Sequence, residues 1–131
     1  MLQLDSLYNY LIYLLTIFAL LGVFSAIYLW VTPFDEMALI RQGRAAAALS
    51  FGGAMLGFTL TLAAAAMYHA AYLPFLAWSG TAMVVQLLAY VVLSRVIPDL
   101  NQSLENNNVA MGAFVGTVAL VVGIANAACL S

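Results

Sequence analysis

The sequence predicts an all-α membrane protein, with four transmembrane helices arranged as two tandem two-helix repeats of parallel orientation and short interfacial helices in the cytoplasmic loops. Three observations carry this reading. Of 131 residues, 66% are hydrophobic and only 6% charged, with a mean hydropathy of +1.08, whereas an ordinary soluble domain is about 25% charged. Residues 45–94 hold no charged side chain at all, a run too long for one crossing of a bilayer core about 30 Å thick and suited to two. The chain also aligns on itself at an offset of 64 residues.

A crossing needs about 20 helical residues, and on that ruler the spans fall at 7–31, 45–70, 74–97 and 108–130 of a single integral domain, with repeat halves at 7–70 and 74–130. The N-terminal segment MLQLDSLYNY lacks the positive n-region of a signal peptide, and the apolar run after it is far longer than a signal h-region, so it reads as a retained first span. Pro74 marks the turn between the second and third spans.

The other two connections are longer, and in or beside them lie seven of the eight charges: Asp35, Glu36, Arg41, Arg44, Arg95, Asp99 and Glu105. All three arginines are in this group, so the positive-inside rule puts these loops in the cytoplasm and both termini outside. Tyr8, Tyr10, Tyr13, Tyr68, Tyr72 and Trp78 would then form an outer aromatic belt, and Tyr28, Trp30 and Tyr90 an inner one.

At the 64-residue offset, residues 40–48 fall on residues 104–112, and Ala48 and Gly52 fall on Gly112 and Gly116. Pro33 and Pro98 precede the aligned segments, each with an aspartate close behind. Each half then reads as a span, a proline, an acidic cap, a short polar helix and a span rich in small residues. Two spans per half give both halves one orientation, related by an axis along the membrane normal; chance similarity between apolar segments is the alternative. Pro98 suits a first helical turn, and Asp35, Glu36 and Asp99 sit where acids favour a helix N-terminus. Two short interfacial helices, apolar side down with Leu100 and Leu104 one turn apart, compete with an ordered loop carrying surface ion pairs from Glu36 to Arg41 or Arg44.

Helices associate in lipid where small residues let backbones approach. Gly53–Gly57 and Gly112–Gly116 are both GxxxG, Gly52 adjoins the first, and Gly123 continues the spacing in the last span. The second and fourth spans therefore belong in the interior or at an oligomer interface, and the first and third toward lipid.

Three arginines, no lysine and a net charge of −2 exclude a nucleic-acid binder. The single Cys129 allows no intramolecular disulfide and reads as a structural thiol; no cofactor or metal is expected. No acid or base lies near the middle of a span, where relays and pumps usually carry one. His69 near an outer helix end reads as an interfacial residue, and without a GxSxG elbow it makes no hydrolase. The intramembrane polar set is neutral: Thr16, Thr59, Thr61, Gln86 and Asn126, roughly 16 to 27 Å above the cytoplasmic ends at 1.5 Å per residue. These groups either hydrogen-bond across helices or line a wet crevice, and Gln86, close to the middle of the third span, would be costly unpaired.

Thr32-Pro-Phe-Asp-Glu36, Ala45-Ala-Ala-Ala-Leu-Ser50, Gly52-Gly-Ala-Met-Leu-Gly57, Val84-Val-Gln-Leu-Leu88 and Asn126-Ala-Ala-Cys129 together resemble the YjfL-like family of small bacterial inner-membrane proteins, over nearly the whole chain. That family is defined by a domain of unknown function. The resemblance implies four spans, an inner-membrane location and partners in an envelope or polyamine-linked system, with no catalytic residues to carry over.

Two functions fit these observations. One is a non-enzymatic membrane module, a homo-oligomer or complex subunit set in the lipid bilayer whose cytoplasmic loops engage a protein partner. The other is a homo-oligomeric pore or small-solute transporter with a neutral polar path through Gln86 or Asn126 between protomers.

Overall fold

The computed structural model describes residues 2–33, 35–68 and 71–130. Among them the chain is helical throughout: α1 (Leu2–Val31), α2 (Glu36–Arg41), α3 (Ala45–Tyr68), α4 (Tyr72–Val96), α5 (Leu100–Glu105) and α6 (Val109–Leu130). The four long helices are apolar and long enough to cross a membrane, and the two six-residue helices lie in the charged connections. His69 lies outside the described residues.

Helix ends follow local chemistry. α4 begins at Tyr72, two residues before the proline expected to open it. Pro74 is tolerated there because first-turn N–H groups have no intrahelical partner. Asp35 caps α2 by accepting from the Ala38 N–H at 3.1 Å. Asp99 does not repeat this, for it sits at φ 59 and makes no side-chain cap. Pro98 precedes that cap and so lies outside α5 rather than in its first turn; the residue before it, Ile97, is extended, as a residue before proline prefers, and α4 ends at Val96. Gly43 and Asn107 follow the last residues of α2 and α5 with positive φ, the left-handed exit that glycine and asparagine take most readily.

The tightest pairing is between α3 and α6, which run parallel. The backbone of Gly112 rests on Ala46, Gly116 on Leu49 and Gly53, and Gly123 on Gly57. A Cβ added at Gly53, Gly57, Gly112, Gly116 or Gly123 would run into the facing backbone. Gly52 differs from the rest of the expected packing set: a Cβ there meets nothing within 4 Å, because it points away from this seam.

Spans two and four are expected in the interior or at an oligomer interface, and one and three toward lipid; α3, the most buried span, and α1, the least, fit this, while α4 is more buried than α6. α6 buries only Gly112, Val115, Gly116 and Gly123, its contact stripe with α3. α4 buries Phe75, Ser79, Ala82, Met83, Gln86 and Tyr90, a stripe at helical spacing along its whole length. α1 contributes Phe24 and Tyr28. α5 also turns its apolar side onto the bundle rather than down onto a membrane surface: Leu100 and Leu104 are 1% and 0% exposed and belong to the core cluster, whereas α2 buries only Glu36.

Candidate functional site

At the end of the bundle where α2 and α5 pack, the core becomes polar. Glu36, the first residue of α2, is 1% exposed, and neither carboxylate oxygen has a hydrogen-bond partner. The expected surface ion pair with Arg41 or Arg44 is therefore not formed: helix geometry turns Glu36 inward, while Arg41 points to the exposed side. Burial pushes the carboxyl from 4.5 up to about 8, because a charge away from water is penalised.

Its charge is felt by two tyrosines, Tyr28 from α1 and Tyr90 from α4. Both belong to the interior and not to a lipid-facing belt, with 2% and 6% exposure; Trp30 alone of that expected inner belt is exposed. Their rings pack at 5.3 Å between centroids with a 59° tilt. Buried phenols need partners, and each has one on a different helix: Tyr28 shares a 3.2 Å hydrogen bond with Ser50 of α3, and Tyr90 donates to Oδ1 of Asn101 on α5. The cluster thus draws one side chain from each of α1 to α5.

Deeper in the bundle, a cavity of about 10 Å³ lies between Tyr28, Ala54, Gln86, Tyr90 and Val115, the lower limit of what holds one water. Gln86 donates from Nε2 to the Ala119 carbonyl at 2.8 Å, and its Oε1 is buried without a hydrogen-bond partner.

The other neutral polar residues are dispersed, and the structure does not gather them into one lining. Thr61 donates to the carbonyls of Gly57 and Gly123 at 3.0 and 2.9 Å, sealing the α3–α6 seam. Thr59 bonds its own helix at Met55. Thr16 bonds Ile12 and shares a 2.7 Å bond with the Tyr72 hydroxyl. Asn126 reaches the Ala82 carbonyl at 3.4 Å. Asp35, Arg41, Arg95, Asp99 and Glu105 are exposed, and Arg44 is half-buried. Cys129 is exposed. Among the described residues no group of His, Cys, Asp and Glu is arranged to hold a metal ion.

The buried cluster was hidden because Glu36 reads as one more charge in a loop. One signal reveals it: α5 starts 64 residues after α2 and α6 starts 64 residues after α3, so the same offset sets Glu36 opposite Leu100. Each residue opens its short helix, and each is 1% exposed. A carboxylate occupies in α2 the position that leucine fills at the start of α5.

Comparison with known proteins agrees with a membrane protein. No solved structure matches the chain. Inner membrane proteins YjfL of Escherichia coli K12 and of Escherichia coli O157:H7 are each 38% identical over 128 residues, covering 98% of this chain and 97% of theirs. The model of a domain of unknown function, DUF350, matches residues 1–130, and the chain belongs to that family of YjfL-like inner-membrane proteins.

Proposed function

We propose that the protein is a non-enzymatic module of the bacterial inner membrane that works as a homo-oligomer or complex subunit, with both termini outside and the α2–α5 end engaging a partner in the cytoplasm. The observation that carries this reading is a groove of about 300 Å³ on the outer side of the α3–α6 seam, lined by Ala48, Gly52, Leu56, Ala113, Gly116 and Thr117. Small residues on a lipid-facing groove let the backbone of another helix approach closely, the main source of helix association in bilayers. Gly52 has open space above it, so a helix of a second copy meets no obstacle there. The duplicated helix order and the arginines Arg41, Arg44 and Arg95 support the parallel halves and the cytoplasmic side of this end.

A path for solute between protomers is the weaker reading. Gln86 and Asn126 donate inward, to α6 and α4 respectively, which ties helices together and directs neither amide toward the groove.

Native mass spectrometry of the full chain in nanodiscs tests the proposal. Gly52→Leu and Ala113→Leu fill the groove without entering the seam between α3 and α6, and the expected result is a shift from oligomer to monomer with unchanged helicity. A wild-type protein that is monomeric, or an oligomer indifferent to both substitutions, overturns it. Flux in proteoliposomes that Gln86→Leu abolishes would favour the pore instead.

A further inference from the structure

We propose that Glu36 is a reversible proton-binding site, and that the hydroxyls of Tyr28 and Tyr90 read its state by exchanging partners. The argument begins with packing. Leu100 and Glu36 hold matching, equally buried positions at the starts of α5 and α2, so an apolar side chain suffices for the fold there. A buried carboxyl with two unpartnered oxygens destabilises the protein relative to leucine, and its presence calls for a role that leucine lacks.

The surroundings select the proton as the ligand. Among the described residues, the titratable groups that feel the charge of Glu36 are Tyr28 and Tyr90. From α3 and α5 come the neutral Ser50 and Asn101, bonded to those tyrosines. The charged side chains of the two longer connections, Asp35, Arg41, Arg44, Arg95, Asp99 and Glu105, contribute nothing to its shift, which burial causes. With no opposite charge at hand, the carboxyl is neutralised by taking up a proton from solution.

The consequence is a change of hydrogen bonding with no bond formed or broken other than the carboxyl O–H. When Glu36 holds its proton, Tyr28 stays with Ser50 and Tyr90 with Asn101, as the structure has them. When the proton leaves, the carboxylate becomes the strongest acceptor in the cluster and competes for both phenolic O–H groups. Those two bonds link α1 to α3 and α4 to α5, so their exchange loosens the α2–α5 end.

The chain has only two glutamates, Glu36 and the exposed Glu105, which makes the test direct in the unmodified protein. Glutamate labelled with 13C at the carboxyl gives two resonances, to be followed by NMR from about pH 4 to about pH 10 in nanodiscs. The expected result is that the second of the two, that of Glu36, has its midpoint near 8, a proton affinity about three thousandfold above the ordinary value of 4.5. Glu36→Gln removes the second resonance and assigns it. Tyr28→Phe and Tyr90→Phe take donors away from the ionised form and raise the midpoint further. A Glu36 midpoint in the ordinary carboxylate range, or a Glu36 signal that does not move over the whole range, overturns the site. A midpoint unchanged by both phenylalanines overturns the part given to the hydroxyls.

Discussion

Asn107 caps a helix that begins 62 residues before it, its Oδ1 accepting from the Ala46 N–H at 3.1 Å. The same residue ends the turn after α5 with φ 63, so one side chain ties the exit of α5 to the entry of α3. This joint also sets the register of the seam, because Ala46 is where Gly112 makes its backbone contact.

The two duties of Asn107 are separable by substitution. Asn107→Gly keeps the left-handed backbone and loses the cap, at a cost of about 1 kcal/mol. Asn107→Ala loses both and costs about 1–2 kcal/mol more, because an L side chain is disfavoured there. Asn107→Asp retains an acceptor at a helix N-terminus and matches or exceeds wild type. Unfolding in bicelles should rank the variants as Asp, Asn, Gly, Ala from most to least stable; equal loss in Gly and Ala would show that the backbone requirement is absent.

Backbone contact along the α3–α6 seam leaves no room for side chains at its glycines. Gly116→Leu meets the backbone of Leu49 and Gly53, neither of which can turn aside, and the helices must separate at a cost of about 1–3 kcal/mol or more. Gly22→Ala and Gly80→Ala are the controls, since a Cβ at either meets nothing within 4 Å. Thermal unfolding should be lowered sharply by the first change and be unaffected or raised by the others.

Composition and spacing made the long helices legible because the bilayer admits few alternatives: fifty uncharged residues must cross twice. The small-residue seam was legible for a related reason, since glycine at every fourth position has a direct geometric meaning in lipid. The buried cluster was not. Nothing local separates Glu36 from Asp35, one inside the bundle and the other an exposed cap, because a six-residue helix can face either way until α3 packs against it. Tyr28 and Tyr90 misled for a similar reason, as tyrosine near a span end is ordinarily interfacial and only a polar partner such as Ser50 or Asn101 brings it inside. α4 looked lipid-facing because large apolar residues cover it all round, and its buried stripe emerges only at the positions 75, 79, 82, 83, 86 and 90.

Gln86 combines one made bond with one unmade. Its Nε2 bond to Ala119 is worth about 0.6 kcal/mol by the average for membrane helices, while an orphaned buried Oε1 costs about 1–3 kcal/mol. Gln86→Leu removes both and should change stability by less than about 1 kcal/mol, or raise it. Gln86→Ala adds the volume of the lost side chain to the existing cavity and should cost about 2 kcal/mol or more. A Leu variant as damaged as the Ala variant would mean that the amide, rather than its volume, holds α4 to α6.

Glu36 makes the stability of the protein depend on pH in a direction opposite to most carboxylates. Its folded value, about 8, lies above the ordinary 4.5, so between these the folded state holds a proton that the unfolded state has released. Stability therefore falls as pH rises from about 4.5, and the loss is complete once pH passes about 8. The size is on the order of a few kcal/mol across that window. Glu36→Gln should flatten the profile, having no proton to lose. Glu36→Leu should flatten it as well and exceed wild type above pH 8, because it puts in α2 what Leu100 already is in α5. Unfolding midpoints measured from about pH 5 to about pH 9 decide between this and a surface role for the residue: a wild-type profile that rises with pH, or one that Glu36→Gln leaves unchanged, would place the carboxyl in water.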